Sequence, residues 1–341
     1  MMRLNRGINL GGFLSQCCHE EAHYDEFIKK EDIRQISEWG FDHVRLPVDY
    51  NVMESDEGAV KESGFDRIQQ VIDWCREYRL NIILDLHKAY GYDFNDAGDE
   101  ERNNLFSSEA LQKRFVDLWI EIVKRFGGEE HIAFELLNEV VEKENAEAWN
   151  KLIKAAVAEI RKVNKTAPII YGGIQWNSVK TLKLLEVPND ENIIFTFHFY
   201  EPLLFTHQKA HWVATMDPHQ TTYYPESMEY YQEKSKVLGF QGEVVRLAQS
   251  HEMGIPFIEE MIQEAIEAAK KAGVSLYCGE FGVIDQAPVA DTLRWFTDVN
   301  SVFEKYRIGC AVWSYKEMDF GLLETHYDDI RDDLLRLWCK K

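Results

Sequence analysis

Ile132-Ala-Phe-Glu-Leu-Leu-Asn-Glu139 places a short, largely apolar run, 132–137, directly before an amide and a carboxylate. A run this short, apolar on both of its alternating faces, reads as a strand covered on both sides, as in parallel sheets. Seven further runs of this kind occur, at 6–10, 41–46, 81–86, 168–172, 193–199, 274–279 and 308–313. Between them lie stretches with apolar residues every three to four positions, at about 31–39, 64–78, 109–126, 144–163, 178–186, 255–272, 288–306 and 326–339, which read as amphipathic helices. Eight strands alternating with eight helices is the count that closes a (β/α)₈ barrel of the α/β class, the TIM barrel. A single barrel domain over 1–341 is therefore expected.

One connection breaks the rhythm. Some fifty residues, 201–254, separate the sixth strand from the next helix, and loops that long in compact domains carry structure or function of their own. The segment holds Trp212, Tyr223, Tyr224, Tyr230 and Tyr231 and reads as a small inserted subdomain beside the barrel mouth.

Composition narrows the partners. Asp and Glu outnumber Lys and Arg by 59 to 38, for a net charge of −21, a field that repels phosphate backbones and anionic lipid. Neither nucleic acid nor a membrane is an expected partner; a neutral polymer is unaffected. The aromatic fraction, 13%, exceeds what packing requires, so some rings are expected to meet a ligand. Six cysteines without a Cys-x-x-Cys spacing predict mostly buried, reduced thiols and no structural zinc site. Residues 1–15 lack a basic start followed by an apolar run, and no stretch reaches the length of a membrane span, which predicts a soluble, cytoplasmic chain without an export signal in the sequence as it stands.

In a parallel barrel the chemistry gathers where strands end. Here Arg45, His87, Asn138 with Glu139, His198 with Tyr200, Glu280 and Trp313 fall at the ends of six of the eight runs, too regular a placement for loop caps alone. Two of these residues are carboxylates, on strands four and seven, which face each other across an eight-stranded ring. That arrangement suits cleavage of a glycosidic bond with retention, in which one carboxylate attacks the anomeric carbon and the other protonates the leaving oxygen, the pair standing about 5 to 5.5 Å apart. The attacking carboxylate must be ionised, so Arg45 is the expected partner of Glu280. The chemistry needs only carboxylates and water, and no cofactor is expected.

Seven motifs in order resemble glycoside hydrolase family 5. They are Gly-Ile-Asn-Leu-Gly-Gly at 7–12, His-Val-Arg-Leu-Pro at 43–47, Asp-Leu-His at 85–87, Glu-Leu-Leu-Asn-Glu at 135–139, His-Phe-Tyr at 198–200, Gly-Glu-Phe-Gly at 279–282 and Ala-Val-Trp-Ser-Tyr at 311–315. The chain is most similar to the clostridial endoglucanase C type, which shares the insertion after strand six and a Phe-Thr-His-Gln-Lys-Ala-His-Trp stretch like that at 205–212. The resemblance implies Glu139 as acid/base, Glu280 as nucleophile and Asn138 as partner of the sugar 2-hydroxyl. It further implies that Arg45 and Tyr200 hold the nucleophile, that His87 and His198 line the cleaved-sugar subsite, and that Trp313 is its stacking floor. Departures are Phe13 and Lys88, where relatives often carry Trp and His near the sugar-binding mouth, and Val140 in place of a Pro.

Other features read differently. His19-Glu20-Glu21-Ala22-His23 spells the zinc-protease pattern, but it lies in a loop before the first helix with no third ligand evident, so no metal is expected. Asn164-Lys165-Thr166, a glycosylation sequon by spelling, reads as a helix end. Trp39, Trp74, Trp119 and Trp295 sit at apolar helical positions and read as core, whereas Trp176, after strand five, and Trp212, in the insertion, are sugar-contact candidates. The expected function is a retaining endo-β-1,4-glucanase acting as a monomer on cellulose-like or mixed-linkage β-1,3-1,4-glucan. The alternatives are the same mechanism on β-mannan, xyloglucan or β-1,3-glucan, and a binding-only barrel that has lost catalysis.

Overall fold

The computed structural model describes residues 2–339. Eight parallel strands, β1 (Arg6–Asn9), β2 (His43–Asp49), β3 (Asn81–Lys88), β4 (Ile132–Glu135), β5 (Ile169–Gly172), β6 (Ile193–Phe199), β7 (Ser275–Phe281) and β8 (Gly309–Val312), close in sequence order, with β8 pairing back to β1. The helices are α1 (Glu21–Glu26), α2 (Lys30–Trp39), α3 (Tyr50–Met53), α4 (Glu62–Glu77), α5 (Glu109–Phe126), α6 (Ala146–Val163), α7 (Leu203–Thr206), α8 (Met228–Lys234), α9 (Glu243–Arg246), α10 (Ile255–Ala272), α11 (Val289–Tyr306) and α12 (Arg331–Trp338). Helices α2, α4, α5, α6, α10, α11 and α12 form the outer ring.

The two-residue period of each strand divides the core. Val44, Leu46 and Val48 of β2 and Ile82, Leu84 and Leu86 of β3 pack outward beneath the helices, while Ile83, Ala133, Ile170, Tyr277 and Ala311 form a separate cluster inside the barrel. Helix α5 shows how a ring helix is fixed. Ser108 caps it by accepting from the Leu111 N–H at 3.4 Å, its buried face carries Phe115, Leu118, Trp119 and Ile122, and the Trp119 indole donates to the Leu136 carbonyl at 3.1 Å. Inside the barrel, space is tight enough to demand glycine at position 7. A Cβ there would come within 2.2 Å of the His43 ring, which is itself held by the Tyr277 hydroxyl at 2.7 Å.

Several expectations need correction. The helix expected at 178–186 is only a 3-10 turn at Leu182–Leu184. Thr181 diverts the backbone: its hydroxyl donates to the Ile174 carbonyl at 2.8 Å and accepts from the Ile174 N–H at 3.0 Å, side-chain bonds that compete with helical ones. The stretch 21–26, expected in a loop, is the short helix α1. Strand β2 does not end at Arg45 but continues to Asp49, so Arg45 lies within the barrel rather than at its rim. Three cysteines are buried rather than most of the six: Cys75, Cys278 and Cys310 lie in the interior, Cys17 and Cys339 are half-buried and Cys18 is exposed. Trp119 and Trp295 are core, but Trp39 and Trp74 keep part of their surface in solvent. Asn164 does end α6, accepting from the Thr166 and Ala167 N–H groups. Among the described residues no helix is long and apolar enough to cross a membrane.

The connection between β6 and α10 carries α7, α8, a kinked 3-10 segment over Ser235–Gly242 and α9. It stands over the mouth end of the barrel, where its residues help line a cleft of about 1330 Å³.

Candidate active site

The cleft opens at the carboxyl ends of the strands, and Glu139 and Glu280 stand on its floor. Pairing along β6 and β7 slips between Phe197 and His198, so that His198 lies opposite Glu280 and Gly279 is the extra residue. Such a bulge re-aims the side chain that follows it. Gly279 fits there because a Cβ would meet Thr196 Oγ1 at 3.0 Å and His198 Nε2 at 3.1 Å, and its carbonyl accepts from Asn9 Nδ2 at 3.0 Å.

Glu280 is held from two sides. Arg45 Nη1 donates to Oε1 at 2.9 Å and the Tyr200 hydroxyl donates to Oε2 at 2.9 Å. Tyr200 is itself fixed through its carbonyl, which accepts from the Thr206 hydroxyl of α7. Both donors favour the ionised carboxylate. Glu139 has a different environment. Among the described residues its one carboxyl hydrogen bond is with His198 Nδ1 at 2.6 Å, and burial pushes its pKa up to about 7. Burial also brings His198 down to about 4, so that ring is neutral at pH 7 and offsets no charge on Glu139. One oxygen from each glutamate and a His198 nitrogen all lie within 4.8 Å of one another. That separation leaves no space for a water between the carboxylates, as an inverting hydrolase requires at about 6.5 to 9.5 Å, and fits the closer spacing of retaining enzymes. The same trio has the atoms to hold a metal ion, although this would place a cation on both carboxyl groups the glycosidic chemistry uses.

Beneath the glutamates lies a charged layer centred on Arg45, whose other members, Asn9, Asp85 and Glu135, sequence reading did not assign. Arg45, fully buried, contacts Glu135 through Nε at 2.8 Å and Nη2 at 3.0 Å, Asp85 at 3.1 Å, and the amide oxygens of Asn9 at 3.0 Å and Asn138 at 2.8 Å. Burial raises the pKa of Asp85 to about 7 and raises Glu135 as well, so the single guanidinium does not face three full negative charges at neutral pH. Asp85 Oδ2 also meets His87 Nδ1 at 2.7 Å, and Gln16 Nε2 donates to His87 Nε2 at 3.0 Å. Because an amide nitrogen can only donate, neutral His87 carries its proton on Nδ1 and donates it to Asp85. Its ring stands parallel to Trp313, 4° apart with centroids at 6.0 Å.

The remaining expected residues divide. His87, Asn138, His198, Tyr200 and Trp313 line the cleft with the two glutamates, Trp176 and Trp212 flank it further out, and Arg45 lies beneath. Phe13, expected near the mouth, is buried against Tyr24 with its ring edge-on. Lys88 turns away to Asp93 at 2.6 Å. The two histidines of the His19–His23 pattern do not converge. His19 Nε2 meets Asp49 at 3.1 Å, while His23 Nε2 donates to the Gly12 carbonyl at 2.7 Å. Glu201, Phe240 and Phe320 also line the cleft and were not anticipated.

Comparison with known proteins gives this geometry a family. The profile of the cellulase family, glycosyl hydrolase family 5, matches residues 6–319. The chain is 41% identical to endoglucanase C of Acetivibrio thermocellus, over 100% of this chain and 99% of that one. It is 40% identical to cellodextrinase A of Ruminococcus flavefaciens, over 89% of this chain and 83% of that one. Among solved structures, Cel5A of Thermotoga maritima, described in complexes with cellobiose and with mannotriose, superposes with a TM-score of 0.74 at 27% identity, covering 98% of this chain and 97% of that one.

Proposed function

This chain belongs to glycosyl hydrolase family 5, and on that premise we propose that it cleaves β-1,4-glucan chains internally, with retention, using Glu280 as nucleophile and Glu139 as acid/base. In the first step Glu280 attacks the anomeric carbon while Glu139 gives its proton to the departing glycosidic oxygen. In the second, Glu139 takes a proton from water as that water displaces Glu280. The observation that carries the reading is the contrast between the two carboxyl groups. Glu280 is gripped by Arg45 and Tyr200, whereas Glu139 keeps a proton up to about pH 7, with their oxygens within 4.8 Å.

Other roles follow from the same geometry. Asn138, its Oδ1 engaged by Arg45, presents its amide N–H to the sugar 2-hydroxyl. Trp313 offers a flat face to the cleaved sugar beside His87, and His198 tethers Glu139. Trp212, about half exposed on the β6–α10 connection, contributes outer binding surface, and residues 201–254 act as an inserted subdomain walling one side of the cleft. The proposal includes action as a monomer. The substrate class rests on the endoglucanase and cellodextrinase relatives, while the mannotriose complex of the Thermotoga protein makes mannan a necessary arm of the test.

The test is reducing-sugar release from mixed-linkage β-glucan, carboxymethylcellulose, mannan, xyloglucan and laminarin by wild type and Glu280→Ala. The reading predicts activity on the first two substrates that vanishes in the variant. Activity confined to mannan or laminarin would refute the substrate assignment and leave the mechanism standing.

A further inference from the structure

One nitrogen of the ring that tethers Glu139 is unaccounted for. His198 turns Nδ1 to Glu139 at 2.6 Å, and Glu280 stands on the same side of the ring, 3.6 Å from that nitrogen. Nε2 is buried and has no hydrogen-bond partner among the described residues, and the same holds for Thr196 Oγ1 and Asn177 Nδ2. Buried polar atoms without partners are uncommon and costly, so three of them in one neighbourhood call for a physical account.

The fold brings the three together through two glycines. Ile194, Thr196 and His198 alternate along β6, and Ile194 packs on the cluster inside the barrel, so this face of the strand looks inward. On one side Thr196 pairs with Gly172 of β5, where a Cβ would overlap the Asn177 amide. That amide thus takes the side-chain place beside Thr196, one strand spacing away, about 4.8 Å. On the other side Gly279, the extra residue of the β7 bulge, has no side chain to separate Thr196 Oγ1 from His198 Nε2, which lie 3.0 and 3.1 Å from where its Cβ would be. Asn177 is held there under strain: Gln175, Trp176 and Asn177 have φ of 54°, 55° and 55°, three consecutive non-glycine residues in the left-handed region, which persists where the surroundings enforce it. Asn177 Oδ1 accepts from the Gly173 N–H at 3.1 Å and the Asn177 carbonyl accepts from the His198 N–H at 2.9 Å. These bonds fix the amide and leave Nδ2, which can only donate, in need of an acceptor.

The three atoms match in sign. An amide nitrogen donates, a hydroxyl accepts and donates at once, and one nitrogen of a neutral imidazole accepts. The order Asn177 Nδ2 to Thr196 Oγ1 to His198 Nε2 uses each in turn, joined by a turn of the hydroxyl or by one ordered water. With Nε2 accepting, the ring proton sits on Nδ1 and is donated to Glu139 Oε1. The carboxyl proton is then carried on the other oxygen, the one left free for the glycosidic bond. In the opposite tautomer Glu139 would give its proton to Nδ1, away from the substrate. We infer that Thr196 is a positioning residue for the acid/base: with Asn177 it keeps the His198 proton on Nδ1 and so keeps the Glu139 proton on the oxygen that meets the leaving group. The inference rests on the reading of Glu139 as acid/base.

Two readouts on the intact chain test it. In protein labelled with ¹⁵N-histidine, long-range ¹⁵N–¹H NMR at about pH 6, where the His198 ring is neutral, distinguishes the tautomers, and the His198 signals are those lost in His198→Gln. Wild type and Thr196→Ser should carry the proton on Nδ1, and Thr196→Val should shift it toward Nε2. In parallel, kcat/KM for cellotetraose, whose leaving sugar needs a proton, should fall about fivefold in Thr196→Val, the loss expected for one hydrogen bond. The value for dinitrophenyl β-cellobioside, whose leaving group needs none, should hold, and Thr196→Ser should restore the first. A proton on Nε2 in wild type, an unchanged tautomer in Thr196→Val, or equal losses on both substrates would overturn the inference. Failure of wild type to turn over either substrate would instead remove the acid/base reading beneath it, and the NMR spectra, which need no substrate, keep the two failures apart.

Discussion

Glu280 and Glu139 are chemically identical groups on opposite sides of one barrel, and the surroundings treat them oppositely. Glu280 stands over a guanidinium and under a tyrosine hydroxyl, each 2.9 Å away. Glu139 has a neutral imidazole and burial, with its pKa pushed up to about 7. Division of labour between acid and nucleophile therefore resides in the neighbours: Arg45 bonds one carboxyl group directly and reaches the other only at a distance, where burial outweighs it.

The largest expected effect tests the cation-gripped side. Glu280→Ala removes the attacking atom, and kcat should fall by about 10⁴-fold or more on every substrate, whatever its leaving group. Glu139→Ala should be asymmetric in a way that Glu280→Ala is not. Its kcat/KM for poor leaving groups should drop roughly 10²- to 10⁴-fold, while formation of the glycosyl-enzyme from a dinitrophenyl glycoside survives, because that leaving group needs no proton. Equal losses with both kinds of leaving group would erase the contrast.

Arg45→Leu attacks the source of the asymmetry. It strands Glu280, Glu135 and Asp85 around an apolar side chain, and chemical denaturation at neutral pH should show a loss of about 3 to 5 kcal/mol. A smaller penalty at pH 5 is expected, since Asp85 and Glu135 have raised pKa values and take up protons more readily there.

pH sharpens the comparison from the other side. An acid raised from 4.5 to about 7 is protonated below that value, so kcat/KM on natural glycans should decline as pH rises through about 7. The linkage sign is opposite to that of a salt-bridged carboxylate: the folded state binds the proton more tightly than the unfolded chain, so the stability contribution is present at low pH and lost between about 4.5 and 7. Glu139→Gln should accordingly raise Tm relative to wild type more at pH 8 than at pH 4. The smallest effect belongs to the outer cleft. Trp212→Ala should raise KM on long substrates by only a few-fold, about 0.5 to 1 kcal/mol, with kcat little changed.

The barrel was legible because its strands are short, apolar and evenly spaced, and α5 and α10 occupy the intervals 109–126 and 255–272 their periodicity predicts. The 178–186 helix was not, because Thr181 bonding back to Ile174 is a side-chain choice that a hydropathy pattern cannot register. The strand-end residues named from the sequence line one cleft except Arg45, which lies beneath it, and the carboxyl groups Arg45 holds there, Glu135 and Asp85, went unread. A signal existed: Glu135 alternates with Ala133 inside the fourth run, and Asp85 and His87 lie two apart along β3, so these carboxyl groups face inward. A charge inside a strand demands a partner, and Arg45 is the cation inside β2. Phe240 was beyond reach because its position depends on the path of a long connection with no periodicity to read, whereas Glu201, two residues past β6, carried the same strand-end signal as Tyr200.

The most direct test of the acid/nucleophile division is covalent trapping. A 2-deoxy-2-fluoro cellobioside with a dinitrophenyl leaving group slows the second step more than the first, so the glycosyl-enzyme accumulates and can be digested and mapped by mass spectrometry. The account predicts one fluorosugar per chain, on the peptide and at the side chain of Glu280. A sugar on Glu139 or Glu135, or steady turnover of β-glucan with no adduct under conditions that exhaust the reagent, would contradict it.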